Sequence, residues 1–408
     1  MTRHTVRSHP WIAFDFDPRE QLDYRTWMLL GEVVSKVAHI AGAPLQPQLA
    51  HDLNQIFLSK SAHATTRIEG NTLSEGEVLR RVRQELDLPP SLEYLGQEVD
   101  NIVDAYDLIE SDLRGNRSLA LTTDRIKELN RLVMRDVPGA ERVKPGEIRT
   151  ENVLVGNYRG APPGDCEDLL DQLCRWLRVI SKVAGPELQQ PAAILSAFLA
   201  HLYIAWIHPF WDGNGRTARL VEYQLLLHAG VPNLAAHLPA NFYMRTRTRY
   251  YQVLEESSTI LHGPTGFLFY ALQGFADELR EQVKMIQAQQ LLVAWVNFVH
   301  DSVPDGHTAA SVRQRHLVLD LPIGEWTNIS KIPELTPRLA REYAGKTRRT
   351  VSRDVNTLED LGLILKGRGQ VRPFVDQMRA FLPLKAEMRE RRMPEPSPED
   401  PGHVHSVS

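Results

Sequence analysis

Apolar residues recur every three or four positions through most of the first 290 residues, the spacing of helices with one buried face. Over 92–113, LEYLGQEVDNIVDAYDLIESDL, the residues Leu95, Val99, Ile102, Val103, Tyr106 and Ile109 form a single stripe. The same period predicts helices over 25–39 and 48–69, one through Val133 capped by Thr123-Asp124, and one over 165–183. Residues 194–207, ILSAFLAHLYIAWI, are apolar nearly throughout. That run falls short of the ~18–20 residues of a membrane span and contains Ser196 and His201, so it reads as a buried core helix. One segment departs from the period. IRTENVLVGNYRGAPP, 148–163, has a strand-like patch at Val153-Leu154-Val155, then Gly156-Asn157 and Gly160, and predicts a short hairpin leaning on helices.

From about Thr308 the texture changes. Helices are expected over 335–344 and 347–361 with Gly345 between them, then a strand at Leu363 to Lys366 and a turn at Gly367-Arg368-Gly369. Residues 336–373 hold nine Arg or Lys against four Asp or Glu, a local net of +5. A helix, a tight turn, a basic helix and a small hairpin are the parts of a winged helix-turn-helix, with Arg348, Arg349 and Arg353 placed to face phosphates. The end of the chain, rich in Pro, Glu and Ser, is expected to be disordered.

Composition adds limits. The hydrophobic share of 42% and charged share of 24% are those of an ordinary globular chain, and the net charge of −4 conceals the basic module. Cys166 and Cys174 are the two cysteines of the chain. Eight residues apart on one helix, about 12 Å, they are too distant for a disulfide, and a reducing cytoplasm is the expected location. The first residues, MTRHTVRSHPWIAFDFDP, contain no apolar stretch of the secretory kind.

The densest chemistry follows the apolar helix, in HPFWDGNGRTAR, 208–219. Pro209 stops the incoming helix, Gly213 and Gly215 allow close backbone approach, and helical periodicity resumes at Asn214. The unpaired N–H groups and positive dipole end of that new helix make an anion site. Arg216 and Arg219 share a helical face and suit phosphate oxygens. Asp212 stands where a carboxylate would share Mg²⁺ with phosphates, and His208 is placed to take a proton from a hydroxyl. Together these are the parts of phosphoryl or nucleotidyl transfer. The spacing Gly213-x-Gly215-x-x-Ala218 also fits a dinucleotide fingerprint, but 223–254 contains no Asp or Glu to bind a ribose, and no Lys-Ser/Thr pair makes a P-loop. Far upstream, TTRIEGN (65–71) ends a helix with Glu69, against the dipole, and so asks for a cation elsewhere.

With every fixed position of His-x-Phe-x-Asp/Glu-Gly-Asn-Gly-Arg-x-x-Arg matched, the segment resembles the signature of the Fic family. The resemblance implies a mainly α, Fic-type helical bundle with a small β-hairpin flap, here followed by a winged helix-turn-helix domain. It implies transfer of AMP from Mg²⁺-ATP to a Ser, Thr or Tyr hydroxyl of a target protein or of the chain itself. His208 would be the general base, Phe210 a buried anchor and Asp212 the Mg²⁺ ligand. Gly213, Asn214 and Gly215 would surround the α- and β-phosphates, Arg216 would contact the β-phosphate, and Arg219 would clamp the γ-phosphate. The hairpin resembles the flap on which the target backbone docks, with Val153 touching nucleoside and target, and Tyr250-Tyr251 resemble the helix that closes the adenine pocket. Thr65-x-x-x-Glu69-Gly70 resembles the motif of the self-inhibited class, in which Glu69 would form a bidentate pair with Arg219 in place of the γ-phosphate. The implied organisation is an N-terminal helical region at 1–110 with an inhibitory helix at about 48–69, and a Fic catalytic core at 111–285 with its flap at 148–163. A linker helix at 286–307, a winged helix-like domain at 308–375 and a disordered tail at 376–408 follow. The expected partners are the target hydroxyl, DNA through the winged helix and a second copy in a homodimer, with no membrane. Two alternatives stand beside this reading: a transcriptional regulator with a Fic-like nucleotide-sensing core, and a Fic enzyme that mainly removes AMP.

Overall fold

The computed structural model describes residues 9–44, 47–115, 120–137, 143–156, 158–183, 185–259, 263–303 and 308–379. They divide into two compact units, 1–286 and 287–408.

In the first unit the apolar stripes become helices with their polar faces outward. After a single turn, α1 (Pro18–Gln21), comes α2 (Tyr24–Ala41), started by Asp23, whose carboxylate accepts from Thr26 N at 2.8 Å. Helix α2 buries Leu30, Val33, Val37 and Ile40. Next are α3 (Pro47–Ile68), α4 (Glu75–Val82) and α5 (Glu93–Arg114), the last burying the stripe read from the sequence except Val103, which is half-buried. The cap of α6 (Thr123–Val133) is Thr122, one residue before the expected Thr123-Asp124, and its hydroxyl accepts from Arg125 N at 3.1 Å.

The hairpin is smaller than its sequence suggested. Strands β1 (Leu154–Val155) and β2 (Tyr158–Arg159) pair antiparallel over two residues each, Leu154 opposite Arg159 and Val155 opposite Tyr158. Asn157 lies outside the described residues. Helix α7 (Cys166–Val183) follows, with Cys166 and Cys174 both buried as free thiols.

At the centre runs α8 (Gln189–Ile207), packed against α7 and α9 (Asn214–His228). Counted with the 3-10 turn before it, the segment Pro186–Ile207 is longer than its apolar run and is long and apolar enough to cross a membrane by length and composition. Within this fold 78% of its most apolar 18-residue stretch is buried. The unit closes with α10 (Asn233–Ala236), α11 (Leu238–Arg245), α12 (Arg247–Ser257) and the first part of α13 (Thr265–Ser302).

The second unit has its own core, in which Trp295, Val299 and Val303 join Leu317, Ile332, Leu339, Val355, Leu358 and Val371. Its elements are the end of α13, then α14 (Ala309–Asp320), β3 (Thr327–Asn328), α15 (Pro337–Tyr343), α16 (Arg348–Asp360), β4 (Ile364–Gly367) and β5 (Gln370–Pro373). The strands form an antiparallel sheet in the order β3-β5-β4. Arg313 donates to Asp354 at 2.7 Å beneath α16, and Tyr343 adds its hydroxyl at 3.1 Å. Neither α14 nor β3 was read from the sequence; the apolar residues of α14 form no single stripe, and β3 is two residues long. Residues 376–379, at the start of the expected tail, belong to a 3-10 turn, Val375–Arg379, while 380–408 lie outside the described residues.

Candidate active site

Helix α8 ends because Pro209 follows His208, which takes the left-handed conformation (φ 50°) while its N–H still donates to Ile204 O at 2.9 Å. Such a backbone costs a non-glycine residue about 1 kcal/mol or more, and it persists only where surroundings fix it. Here they do. Arg149, itself buried, donates from Nε to His208 O at 2.7 Å, from Nη1 to Glu151 O at 2.6 Å, and from Nη2 to Ala161 O. Both roots of the hairpin are tied to the same loop, Arg149 N to Pro209 O at 3.0 Å and Ala161 N to Ile207 O at 3.2 Å.

The loop then closes on itself. Asn214 Oδ1 accepts from Phe210 N at 2.9 Å and its Nδ2 donates to Phe210 O at 2.8 Å, with the Phe210 ring buried beneath. Gly213 opens α9 with φ 76°, and a Cβ there would meet Met134 Sδ at 2.8 Å and Asn130 Nδ2 at 3.0 Å. Buried Asn130 is the hub of this approach: its Nδ2 donates to Asp212 O at 3.0 Å and its Oδ1 accepts from Gly146 N at 2.9 Å. Sequence reasoning missed Asn130 and Arg149, because a single polar residue on a helix or in a loop carries no mark of burial.

The cation that Glu69 called for is Arg219. Glu69 Oε1 lies 2.5 Å from Arg219 Nη2, and Arg219 is buried on the first turns of α9. The pair is a single contact and not bidentate: Arg219 Nε donates to Thr65 Oγ1 at 2.6 Å, and Nη2 is shared between Glu69 and Thr65 O, the latter at 3.1 Å. The spacing Thr65-x-x-x-Glu69 thus places hydroxyl and carboxylate one turn apart on one guanidinium. The Glu69 carboxylate also rests on the start of α9, since a Cβ on Gly215 would strike Glu69 Oε1. Burial, the largest single influence, pushes the Glu69 carboxyl up, but the charge and hydrogen bond of Arg219 together with the charge of Arg216 outweigh it and hold the group below the usual carboxylate range. Arg216 is also buried and paired, its Nη1 at 3.2 Å from Glu98 Oε1 and its Nη2 at 3.5 Å from Asp212 Oδ1.

His208 is half-buried, and burial pushes its imidazole down to about 4. Its Nδ1 lies 3.4 Å from Ala205 O, so the tautomer with a proton on Nδ1 leaves Nε2 free as a base. Val153 flanks it: a Cβ on Gly160 would meet His208 Cβ at 3.0 Å and Val153 Cγ2 at 3.2 Å. Beyond Val153 the hairpin exposes Leu154 and Val155. Tyr251 reaches Ile68 O with its hydroxyl at 3.4 Å and stays partly exposed. Tyr250 is fully buried behind Arg219, where its hydroxyl meets His201 Nε2 at 2.8 Å; His201 Nδ1 meets Glu222 at 2.5 Å, and Tyr243 donates to Glu222 at 3.0 Å. Glu69, Val153, His208, Asp212 to Arg216, Arg219 and Tyr251 are therefore gathered around the start of α9, whereas Tyr250 supports from the core.

Asp212 has a side chain 57% exposed, with Oδ1 accepting from Gly213 N at 2.5 Å. Among the described residues no three His, Cys, Asp or Glu side chains assemble as a metal cage. One exposed carboxylate beside an anion cradle fits Mg²⁺, which takes one or two protein carboxylates and completes its shell with phosphate and water oxygens.

The helical architecture of the first unit is that of solved Fic proteins. The crystal structure of a Fic family protein from Desulfovibrio desulfuricans superposes with a TM-score of 0.53 at 20% identity over 88% of this chain and 98% of that one. Fic-1 of Caenorhabditis elegans superposes with a TM-score of 0.54 at 22% identity over 65% of this chain and 74% of that one. Residues 120–226 match the Fic/DOC family. Its sequence is 30% identical over 190 residues to protein adenylyltransferase fic-1 of Caenorhabditis briggsae, covering 47% of this chain and 34% of the relative. It is 29% identical over 239 residues to protein adenylyltransferase Fic of Nematostella vectensis, covering 59% and 52%. The chain thus spans about half the length of these relatives or less.

Proposed function

We propose that the first unit transfers AMP from ATP to a protein hydroxyl and that Glu69 restrains the reaction. The observation that carries the reading is the Glu69–Arg219 pair lying across the first turn of α9, beside a neutral His208. A carboxylate seated on a helix start with a buried guanidinium occupies the place an anionic ligand would take. In the released state the N–H groups after Gly213 and the guanidinium groups of Arg216 and Arg219 bind the polyphosphate. Asp212 would hold Mg²⁺, which screens phosphate charge. His208 Nε2 accepts the proton as the target oxygen bonds to the α-phosphorus, and the bond from that phosphorus to the bridging oxygen breaks, releasing pyrophosphate. Val153 and the exposed hairpin edge support docking of the target backbone as an added strand. Relatives named protein adenylyltransferase favour this chemistry over a sensing role without turnover.

The test is intact-mass spectrometry after incubation with ATP and Mg²⁺. Glu69→Gly is expected to gain adenylyl groups several-fold faster than the unaltered chain, and His208→Ala in the same background none. If Glu69→Gly is no faster, the restraint is absent; if pre-modified protein loses AMP in a Glu69-dependent way, removal is the main activity.

We also propose that the second unit is a winged helix that binds duplex DNA. Supporting this, the unit pairs Arg313, Arg338, Lys366 and Arg372 with carboxylates. Lys346, Arg348, Arg349 and Arg353, exposed at the first half of α16 and the turn before it, make no ion pair among the described residues. Recognition helices contact DNA with that half. Affinity for a random duplex should fall with a log–log salt slope of about −3, and the triple change of Arg348, Arg349 and Arg353 to Ala should flatten it. A salt-independent affinity would remove the proposal.

A further inference from the structure

The buried guanidinium of Arg216, like that of Arg219, faces a carboxylate, and one that the reading so far gives no role. Glu98, on α5, places Oε1 3.2 Å from Arg216 Nη1, with side chains 16% and 4% exposed. Its other oxygen is held from the opposite direction: Asn71 Nδ2 donates to Glu98 Oε2 at 2.9 Å and to Leu95 O at 3.0 Å. Asn71 is buried and stands two residues after Glu69, in the turn that leaves α3. It is locked there, its N–H donating to Thr66 O at 3.1 Å and its Oδ1 accepting from Leu73 N at 3.0 Å. One carboxylate therefore joins the turn after Glu69 to the other arginine of the site.

The hold on Arg216 is incomplete. Among the described residues its Nε is buried without a partner, and its Nη2 has only Met134 Sδ at 3.4 Å and Asp212 Oδ1 at 3.5 Å. A guanidinium donates through five N–H bonds, so the resting arrangement leaves capacity that phosphate oxygens would fill better. A negative charge 3.2 Å from that guanidinium also lowers the potential an incoming polyanion meets. We propose that Glu98 is a second acidic restraint on the nucleotide site, acting through Arg216 as Glu69 acts through Arg219, and that Asn71 ties the two together. Release of the α3 turn then loosens Glu98, and a diphosphate captured by Arg216 pulls on the turn that carries Glu69.

This rests on the adenylyl-transfer reading for the order of phosphates along α9, and it predicts a division by ligand. Glu98 opposes the β-phosphate and Glu69 the γ-phosphate. Calorimetric titration of the full chain with AMP, ADP and ATP separates them. Glu98→Gln, which keeps the shape and an oxygen for Asn71 but removes the charge, should tighten ADP and ATP by about 5-fold and leave AMP unchanged. Glu69→Gly should tighten ATP more than ADP. Asn71→Ala should tighten both, because it slackens both restraints. Should Glu98→Gln fold poorly, Glu98→Asp keeps the charge and withdraws it from Arg216, and should shift ADP in the same direction by less. If no variant binds any nucleotide, the adenylyl-transfer reading fails. If Glu69→Gly tightens ATP while Glu98→Gln leaves ADP unchanged or weaker, the second restraint is wrong and the first stands.

Discussion

At the scale of single residues, His208 makes a quantitative demand. An exposed imidazole titrates near 6.5, and burial lowers this one to about 4. Its base form is therefore complete throughout the neutral range, and the Glu69→Gly variant should transfer AMP at a nearly constant rate from pH 8 to about 6. The rate should fall only as pH approaches 4. A descending limb centred near 6.5 would mean that the imidazole is solvated and the pocket around it open. The sign for stability runs the same way: a lowered folded value stabilises above 6.5, and that contribution is lost as pH falls from 6.5 through 4. Much of this chemistry was legible beforehand. The residues of HPFWDGNGRTAR are each specialised, and together they admit few structural roles, so the cradle could be read from one segment. Glu69 was found through its misfit with the helix dipole and its spacing from Thr65. What stayed hidden were Asn130, Arg149 and Glu98, whose roles depend on partners tens of residues away. Tyr250 shows the same limit from the other side, since adjacent tyrosines on a helix do not reveal which of them faces the core.

At the scale of elements, the site is a junction of three pieces: the end of α8, the start of α9 and the root of the hairpin. Periodicity gave the amphipathic helices α2, α3, α5, α6 and α7 to within about two residues, because an apolar stripe is a local pattern. By contrast, α8 begins before its apolar run, and the linker helix expected at 286–307 is the end of α13. The hairpin was overextended in the reading because a strand-like composition does not say where the backbone groups go. At its root, Glu151 O, Ala161 O and the N–H groups of Arg149 and Ala161 bond to the Arg149 side chain and to the segment around His208 instead of to a partner strand. Arg149 accordingly holds the hairpin root and His208 together with no carboxylate in direct contact among the described residues, a buried cation satisfied by carbonyl dipoles. Lysine cannot reproduce three divergent donors of a planar group. Arg149→Lys should therefore cost about 2–3 kcal/mol of stability in denaturant titration, from carbonyls left without donors. It should also lower transfer in the Glu69→Gly background by more than tenfold while ATP affinity changes little, since the α9 cradle does not depend on it. Unchanged turnover with lowered ATP affinity would instead place Arg149 in nucleotide binding.

At the scale of the whole molecule, the proposed restraint and part of the stability rest on the same contacts. Glu69 and Thr65 fasten α3 to α9 through a buried guanidinium, so releasing the site for nucleotide also removes an interaction that holds two helices together. Removing one partner of such a pair leaves the other charge without compensation; with Glu69 partly solvent-accessible, the loss should be about 1–3 kcal/mol. Glu69→Gly should then melt several degrees below the unaltered chain when no nucleotide is present. Ligand restores what was lost, because binding to the folded state stabilises it by RT ln(1 + [L]/Kd), and tenfold tighter ATP adds about 1.4 kcal/mol at saturation, or roughly 2–4 °C in Tm. The two melting curves should therefore converge as ATP is raised, the variant gaining more per increment than the parent. Parallel curves would show that Glu69 does not compete with the nucleotide, and an unaltered apo Tm would show that the Arg219 pair contributes nothing to holding α3 in place. Convergence is the signature of a ligand and an internal carboxylate contesting one guanidinium, and it is read from the intact chain without any assumption about which protein is modified.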